Sequence, residues 1–399
     1  MKKFRKIYYA EANYGDDEIN ASLKVLKNQK YSLMGGKQTK KLEKEVANLF
    51  GMKFGLMTNS GSSSNLLAVK AFNFKENSEI ITPALTFSTT VSPIVQSKLI
   101  PVFVDVDYNT LQIDINKIEK AISKKTVAIM APNLIGNIAD WKSLRKLANK
   151  YKIKLIEDSA DTIGYKYLGK TKYKKAEACT TSFYASHVVT GAGFGGMACF
   201  NDEKILGHAR ILRSWGRRSA NYNESEDYNT RFECKISGIN YDDKYVFDEL
   251  GYNFIGSDIS AAFAISKIKK LNKNINKRIE NFEKLKKIFI NHTDYVHTFD
   301  TTKNYKTGWL AFPFILKNKY KDRRKDLQIQ LEKSGIQTRT IFTGNITKQP
   351  VAKKFKWRSS GNLNVANNIM KSGILIGCHE LISDKDIAFI KEQIDDFLK

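Results

Sequence analysis

An α/β fold built on a mostly parallel sheet is what this chain predicts, and three observations lead there. Short apolar runs at Phe54–Met57, Ile80–Thr82, Val102–Val104, Val127–Met130 and Leu155–Ile156 alternate with stretches of helical periodicity. A turn of small residues, Asn59-Ser60-Gly61-Ser62-Ser63-Ser64-Asn65, follows the first run and opens a helix. The run Ser182-Phe183-Tyr184-Ala185-Ser186-His187 passes through the glycine-rich bend Thr190–Gly196 into a new apolar run, Met197–Phe200. Strand–helix alternation places helical layers on both faces of a sheet, and such sheets hold ligands at the carboxyl ends of their strands.

The elements follow in order. Asp16-Asp17 opens an amphipathic helix, and Gly35-Gly36 ends the turn after it. Leu42, Val46 and Leu49 mark the inner face of the next helix. Beyond the glycine bend, Asp202 caps a helix carrying Ile205, Ala209 and Leu212. The polar segment 217–248, rich in Asn, Asp and Tyr, reads as a long excursion loop. Ile265, Ile268, Leu271, Ile275, Ile279, Phe282, Leu285 and Ile288 recur every three or four residues and predict one long connecting helix. This divides the chain into a large ligand-binding domain, 1–265, and a connecting helix with a smaller α+β domain, 266–399.

Composition narrows the class. A chain of 399 residues with 42% hydrophobic and 11% aromatic content has enough apolar material for a large core. No apolar run approaches the roughly 18–20 residues that cross a bilayer. Glu11 and Asn13 arrive before a signal-peptide core can form. Cys179, Cys199, Cys234 and Cys378 are scattered without metal-ligand spacing. A cytoplasmic location and no metal site are therefore expected. The net charge of +25 has two readings, an anion-binding surface or compositional spread of lysine. Only Lys40-Lys41, Lys124-Lys125, Lys174-Lys175 and Lys353-Lys354 pair up, with no basic stripe of interleaved aromatics. Spread is the better reading, and nucleic acid is not an expected partner.

Three pieces suggest chemistry. The small-residue turn offers free backbone N–H groups and a helix dipole to an anion, typically phosphate; an ordinary serine-capped helix is the plain alternative. Glu157-Asp158-Ser159-Ala160-Asp161 ends a buried strand, where paired acids are costly unless they meet a cation or a metal. A carboxylate there suits a heteroaromatic nitrogen that must stay protonated. Pro83-Ala84-Leu85-Thr86-Phe87-Ser88 brings an aromatic ring to another strand end, for stacking or for core packing.

Taken in order, phosphate turn, Phe87, Asp158 and Ser182 to His187 resemble the fold-type-I pyridoxal-phosphate proteins that act on nucleotide sugars, the sugar aminotransferase and 3-dehydratase family. Gly251-Tyr252-Asn253 with Ser257-Asp258-Ile259-Ser260-Ala261-Ala262 also matches a segment of that family, and the resemblance spans nearly the whole chain. It implies a three-layer sandwich with a smaller C-terminal domain, and pyridoxal or pyridoxamine 5'-phosphate as cofactor. It implies that Ser62, Ser63 and Ser182 bind the cofactor phosphate, that Phe87 stacks on the ring, and that Asp158 pairs with the ring nitrogen. Asn253 would serve the cofactor of a partner subunit in a homodimer.

The departure from the family lies at His187. Aminotransferases carry there, five residues after the equivalent of Ser182, the lysine that holds the cofactor covalently. Histidine in its place resembles the 4-keto-6-deoxyhexose 3-dehydratases, and Asp161, where aminotransferases commonly carry glutamine, adds a cofactor contact typical of that branch. Asn133-Leu134-Ile135-Gly136-Asn137 and Thr343-Gly344-Asn345 resemble the colitose-pathway enzymes acting on a GDP sugar. Arg231-Phe232-Glu233 and Lys244-Tyr245 resemble the iron–sulphur enzymes acting on a CDP sugar, yet segment 217–248 holds Cys234 alone. The glycine bend is one residue longer than the family pattern. The resemblance thus implies a nucleotide-linked 4-keto-6-deoxyhexose as substrate, His187 as base, glutamate as amino donor, and neither iron–sulphur cluster nor reductase. A conventional aminotransferase and a catalytically inactive basic binding protein are the alternatives.

Overall fold

The computed structural model describes residues 6–28, 32–169, 176–222 and 227–399. Lys174-Lys175, the first five residues and part of the excursion lie outside the described residues. Sixteen strands are described: β1 Phe54–Thr58, β2 Glu79–Pro83, β3 Ile100–Val104, β4 Thr126–Pro132, β5 Lys154–Ser159, β6 Lys166–Tyr167, β7 Ala178–Ser182, β8 Gly196–Phe200, β9 Cys234–Ile236, β10 Ile239–Tyr241, β11 Val296–Thr298, β12 Tyr305–Lys306, β13 Ala311–Leu316, β14 Thr338–Arg339, β15 Arg358–Ser359 and β16 Gly373–Gly377.

Eight of them form the main sheet in the order β1-β8-β7-β5-β4-β2-β3-β15. Every pairing from β7 to β15 is parallel, while β8 runs antiparallel to both of its neighbours, β1 and β7. Seven strands therefore point one way, and their carboxyl ends share one edge. Burial on both faces explains why β2 to β5 read as nearly continuous apolar runs rather than alternating ones. One face packs Leu67, Ile94 and Leu206 from three helices, the other Leu42, Val46, Trp141 and Leu144. This is the fold-type-I pyridoxal-phosphate architecture. A second sheet, β11-β13-β16-β14, is antiparallel throughout and carries the C-terminal core. The two parts trade edges: Ile7 bridges to Ile336, and β15 joins the main sheet beside β3.

Two expectations are corrected. The apolar series to Ile288 is not one helix but two, Asp258–Lys269 and Leu271–Ile288, because Lys270 leaves helical geometry at φ −97°, ψ 1°. Its ammonium is drawn to Asp17 at 2.8 Å and Glu18 at 2.9 Å on the first helix. Apolar period records which face is buried, and the face stays continuous through the break. The excursion is not simply loop, since it contains a short helix, Tyr228–Arg231, and the hairpin β9–β10. That hairpin turns on Ser237 and Gly238, both at positive φ, as tight two-residue turns require.

The cysteines also come closer than their spacing suggests. Cys179 and Cys199 are cross-strand partners on β7 and β8, and both are free thiols. No described helix is long and apolar enough to cross a membrane.

Candidate active site

A cavity of about 650 Å³ opens at the carboxyl ends of β1, β2, β4, β5 and β7. Each wall follows from local sequence. Alternation along β5 sends Glu157 and Asp158 to opposite faces of the sheet, so the two acids do not share a counterion. Glu157 meets neutral donors instead: Asn133 Nδ2 at 2.9 Å, Ser159 Oγ at 2.7 Å, Tyr165 OH at 2.6 Å and Cys179 Sγ at 3.3 Å. Hydrogen bonds, rather than a cation, meet the cost of burying that residue. No group of three potential metal ligands occurs among the described residues.

Asp158 faces the cavity. Its Oδ2 accepts from Asn65 Nδ2 at 2.8 Å and Thr90 Oγ1 at 2.7 Å, and its Oδ1 from the Ala160 N–H at 3.1 Å. Burial raises its pKa, against the pull of those three donors and with a smaller push from Glu157. Asp161 lines the same cavity and accepts the Ile135 N–H at 2.8 Å. Burial pushes it up to about 7; the Ile135 bond opposes this and Asp158 adds to it. Ile135 itself sits at φ 59°, unusual for a β-branched residue and a form of strain that collects at functional sites.

The small-residue turn opens a helix, as both of its readings require. Ser60 caps the helix Gly61–Ala71 by accepting the Ser63 N–H. The amides of Gly61 and Ser62 lie in the first turn, where no intrahelical acceptor exists. Gly61 is required there, because a Cβ would sit 2.6 Å from Cβ of Ser182. That close approach sets Ser182 beside the turn, and its hydroxyl accepts the Tyr184 N–H at 3.2 Å. Ser62 lines the cavity. Ser63 is not among the lining residues, and its hydroxyl accepts from Ser60 Oγ at 3.0 Å.

Phe87 is 51% exposed, so it does not serve core packing. It meets the ring of Phe342 edge-on, with centroids 5.7 Å apart. His187 lies half-buried on the site loop, against Tyr184 at 5.6 Å between ring centroids. Its Nδ1 is buried without a hydrogen-bond partner. Burial lowers its pKa to about 4, a contact with the Ser182 backbone opposes this, and the Arg278 guanidinium adds to it. With its pKa lowered in this way the imidazole is neutral at pH 7. No lysine is among the described residues that line the cavity. Asn253 stands outside it, exposed, with its carbonyl accepting from Asn59 Nδ2 at 3.4 Å.

A family model for DegT/DnrJ/EryC1/StrS aminotransferases matches residues 13–395. The chain belongs to this family. It is a pyridoxal-phosphate-dependent enzyme of the nucleotide-sugar group. Lipopolysaccharide biosynthesis protein RfbH of Salmonella typhimurium is 32% identical to it over 378 residues, 92% of this chain and 86% of the relative. GDP-4-keto-6-deoxy-D-mannose 3-dehydratase of Yersinia pseudotuberculosis is 31% identical over 382 residues, 93% of this chain and 94% of that protein. A crystal structure of GDP-4-keto-6-deoxymannose-3-dehydratase holding trapped pyridoxal phosphate and glutamate superposes with a TM-score of 0.85. It is 30% identical, and the match covers 97% of this chain and 99% of that one. Sugar transaminases are among the relatives as well.

The cavity of this DegT-family chain suits the cofactor on its own geometry. Asp158 offers a buried carboxylate to a protonated ring nitrogen, Phe87 an exposed ring face, the turn at Gly61 and Ser62 free amides to a phosphate, and His187 an unpartnered nitrogen. Several lining residues carried no signal in sequence. Tyr9, Leu310 and Phe342 arrive from distant segments. Asn65 lay within the phosphate turn, yet only the fold shows its amide on Asp158.

Proposed function

We propose that the enzyme removes the carbon-3 hydroxyl from a nucleotide-linked 4-keto-6-deoxyhexose, giving a 4-keto-3,6-dideoxyhexose for a surface glycan. One observation carries this reading: no lysine is among the described residues that line the cavity, and His187 stands where the resemblance puts the family's lysine. The cofactor, bound in its amine form, supplies a nucleophilic amine for the 4-keto carbon and an electron sink. Asp158 keeps the ring nitrogen protonated, which sustains that sink. Ser62 and Ser182 with the helix N-terminus hold the phosphate, with Ser63 as a further donor only if its hydroxyl turns from Ser60 toward the cavity; Phe87 fixes the ring plane, and Asp161 holds its remaining polar edge. His187 accepts a proton at Nδ1, and its neutral state at pH 7 makes it ready to do so. Incubation with GDP- and CDP-linked 4-keto-6-deoxyhexoses should give a product lacking the carbon-3 oxygen, read by mass spectrometry. An amino sugar as the sole product favours the transaminase reading, which the sugar transaminase relatives keep open.

Deoxygenation is a two-electron reduction, and we assign glutamate as its source, oxidised to 2-oxoglutarate and ammonia. Turnover should therefore proceed in a mixture of enzyme, cofactor, sugar and glutamate alone, with one 2-oxoglutarate per sugar. Stoichiometric iron in the fresh protein, or turnover only with an added reductase, would remove this assignment.

We further propose a homodimer with shared sites, in which Asn253 reaches the partner's cofactor phosphate. Asn253 is exposed and clear of its own cavity, as that role demands. Asn253→Ala should weaken cofactor binding roughly tenfold, the loss of one or two hydrogen bonds to a charged group, with an unchanged melting temperature before cofactor is added. Full activity from a monomer in light scattering would overturn it.

A further inference from the structure

A second, smaller cavity of about 490 Å³ adjoins the first, and Tyr9, Phe87 and Phe342 line both. Arg339 is the only charged residue among the described residues that line it. Its Nη1 donates to the Thr338 carbonyl at 2.7 Å, and its guanidinium lies 5.6 Å from the Tyr9 ring centroid. It is exposed, and no described carboxylate forms an ion pair with it. Three other side chains around it already donate elsewhere. Thr340 and Thr343 give their hydroxyl protons to the carbonyls of Phe342 and Thr86, and Gln349 donates to the carbonyl of Thr343. Arg339 thus keeps most of its five N–H groups free at a largely apolar chamber whose described lining holds no carboxylate.

We propose that this chamber seats the diphosphate of the nucleotide-linked substrate against Arg339, with Tyr9, Phe87 and Phe342 forming the passage to the reacting sugar. The inference rests on the nucleotide-sugar reading above and assigns its anion subsite. A planar guanidinium matches phosphate oxygens in bidentate fashion, which a lysine does not. The chamber falls within the usual size of ligand pockets, roughly 300–1,000 Å³. It opens beside Phe87, so an extended ligand reaches both spaces at once. Phe342 is fixed at the passage by a turn with φ 42°, followed by Gly344 at φ 61°.

The same oxyanion chemistry would suit the carboxylate of the amino donor, so the test separates the two. Calorimetry on the full chain with GDP, with CDP and with inorganic pyrophosphate should show binding that Arg339→Ala weakens at least tenfold. Arg339→Lys should recover only part of it. The loss in turnover should sit in KM for the sugar, while the glutamate-driven return of the cofactor to its amine form, followed by absorbance, stays at its wild-type rate. Unchanged nucleoside-diphosphate affinity in Arg339→Ala overturns the proposal, as does a variant that binds GDP normally but loses the glutamate half-reaction. Arg339-dependent diphosphate binding in an enzyme that dehydrates no sugar would leave the subsite standing and remove the dehydratase reading instead.

Discussion

His187→Asn will keep cofactor binding and lower dehydration by roughly 100- to 10,000-fold, the usual cost of a lost general base. Asparagine is polar and of similar reach, and the imidazole has no hydrogen bond at Nδ1 that holds the fold together. His187→Lys is the more informative change, because it restores an amine where the family's aminotransferases have one. A covalent lysine–cofactor bond should then form, survive gel filtration after borohydride reduction, and accompany a fall in dehydratase activity. The pH profile gives an independent check. Folding lowers the His187 pKa to about 4, so the base is available from about pH 5 upward, and kcat/KM should show an acidic limb near pH 4, separate from the limb of Asp161 at about 7. His187→Asn should abolish that acidic limb. A wild-type protein that already carries a reducible cofactor–lysine bond would falsify the assignment of His187.

The sheet and half of the site were legible in the residues, for reasons that differ element by element. Buried parallel strands must be apolar throughout, so β2 to β5 announced themselves. The turn Asn59–Asn65 stood out because small residues at a helix start leave room for a backbone to meet a ligand. Asp158 stood out because an acid at the end of a buried strand needs a reason. What stayed hidden depends on tertiary approach. Tyr9 reaches the cavity only because Ile7 pairs with Ile336, beside the second sheet. The positive φ of Ile135 breaks the preference of its own residue type, so no local pattern marks it. Lys270 interrupts a helix while its apolar period runs on, and its partners, Asp17 and Glu18, lie some 250 positions away in sequence.

Asp158→Asn should weaken cofactor binding by two to three orders of magnitude and lower dehydration at least as far. Breaking a buried charge pair costs about 3–5 kcal/mol, and here the pair is the carboxylate with a protonated ring nitrogen. The amide does not reproduce the carboxylate's contacts. Asn65 Nδ2 and Thr90 Oγ1 both donate to Oδ2 while the Ala160 N–H donates to Oδ1, and an amide has one accepting oxygen. Its own NH₂ must therefore face a donor at one side or the other. Stability before cofactor binding should respond differently. Folding raises the Asp158 pKa, chiefly through burial, so its favourable contribution is present at acid pH and lost as pH rises through the folded value. Near neutrality the wild-type carboxylate already costs stability, and the substitution removes that cost while adding an unsatisfied amide of about 1–3 kcal/mol. The two effects oppose, so the melting temperature without cofactor should change by only a few degrees. The increment that saturating cofactor adds should shrink, because stabilisation by a ligand follows the logarithm of its concentration over Kd. Thermal melts with and without pyridoxamine phosphate measure both quantities together. A variant that keeps the wild-type increment would show that Asp158 does not hold the ring.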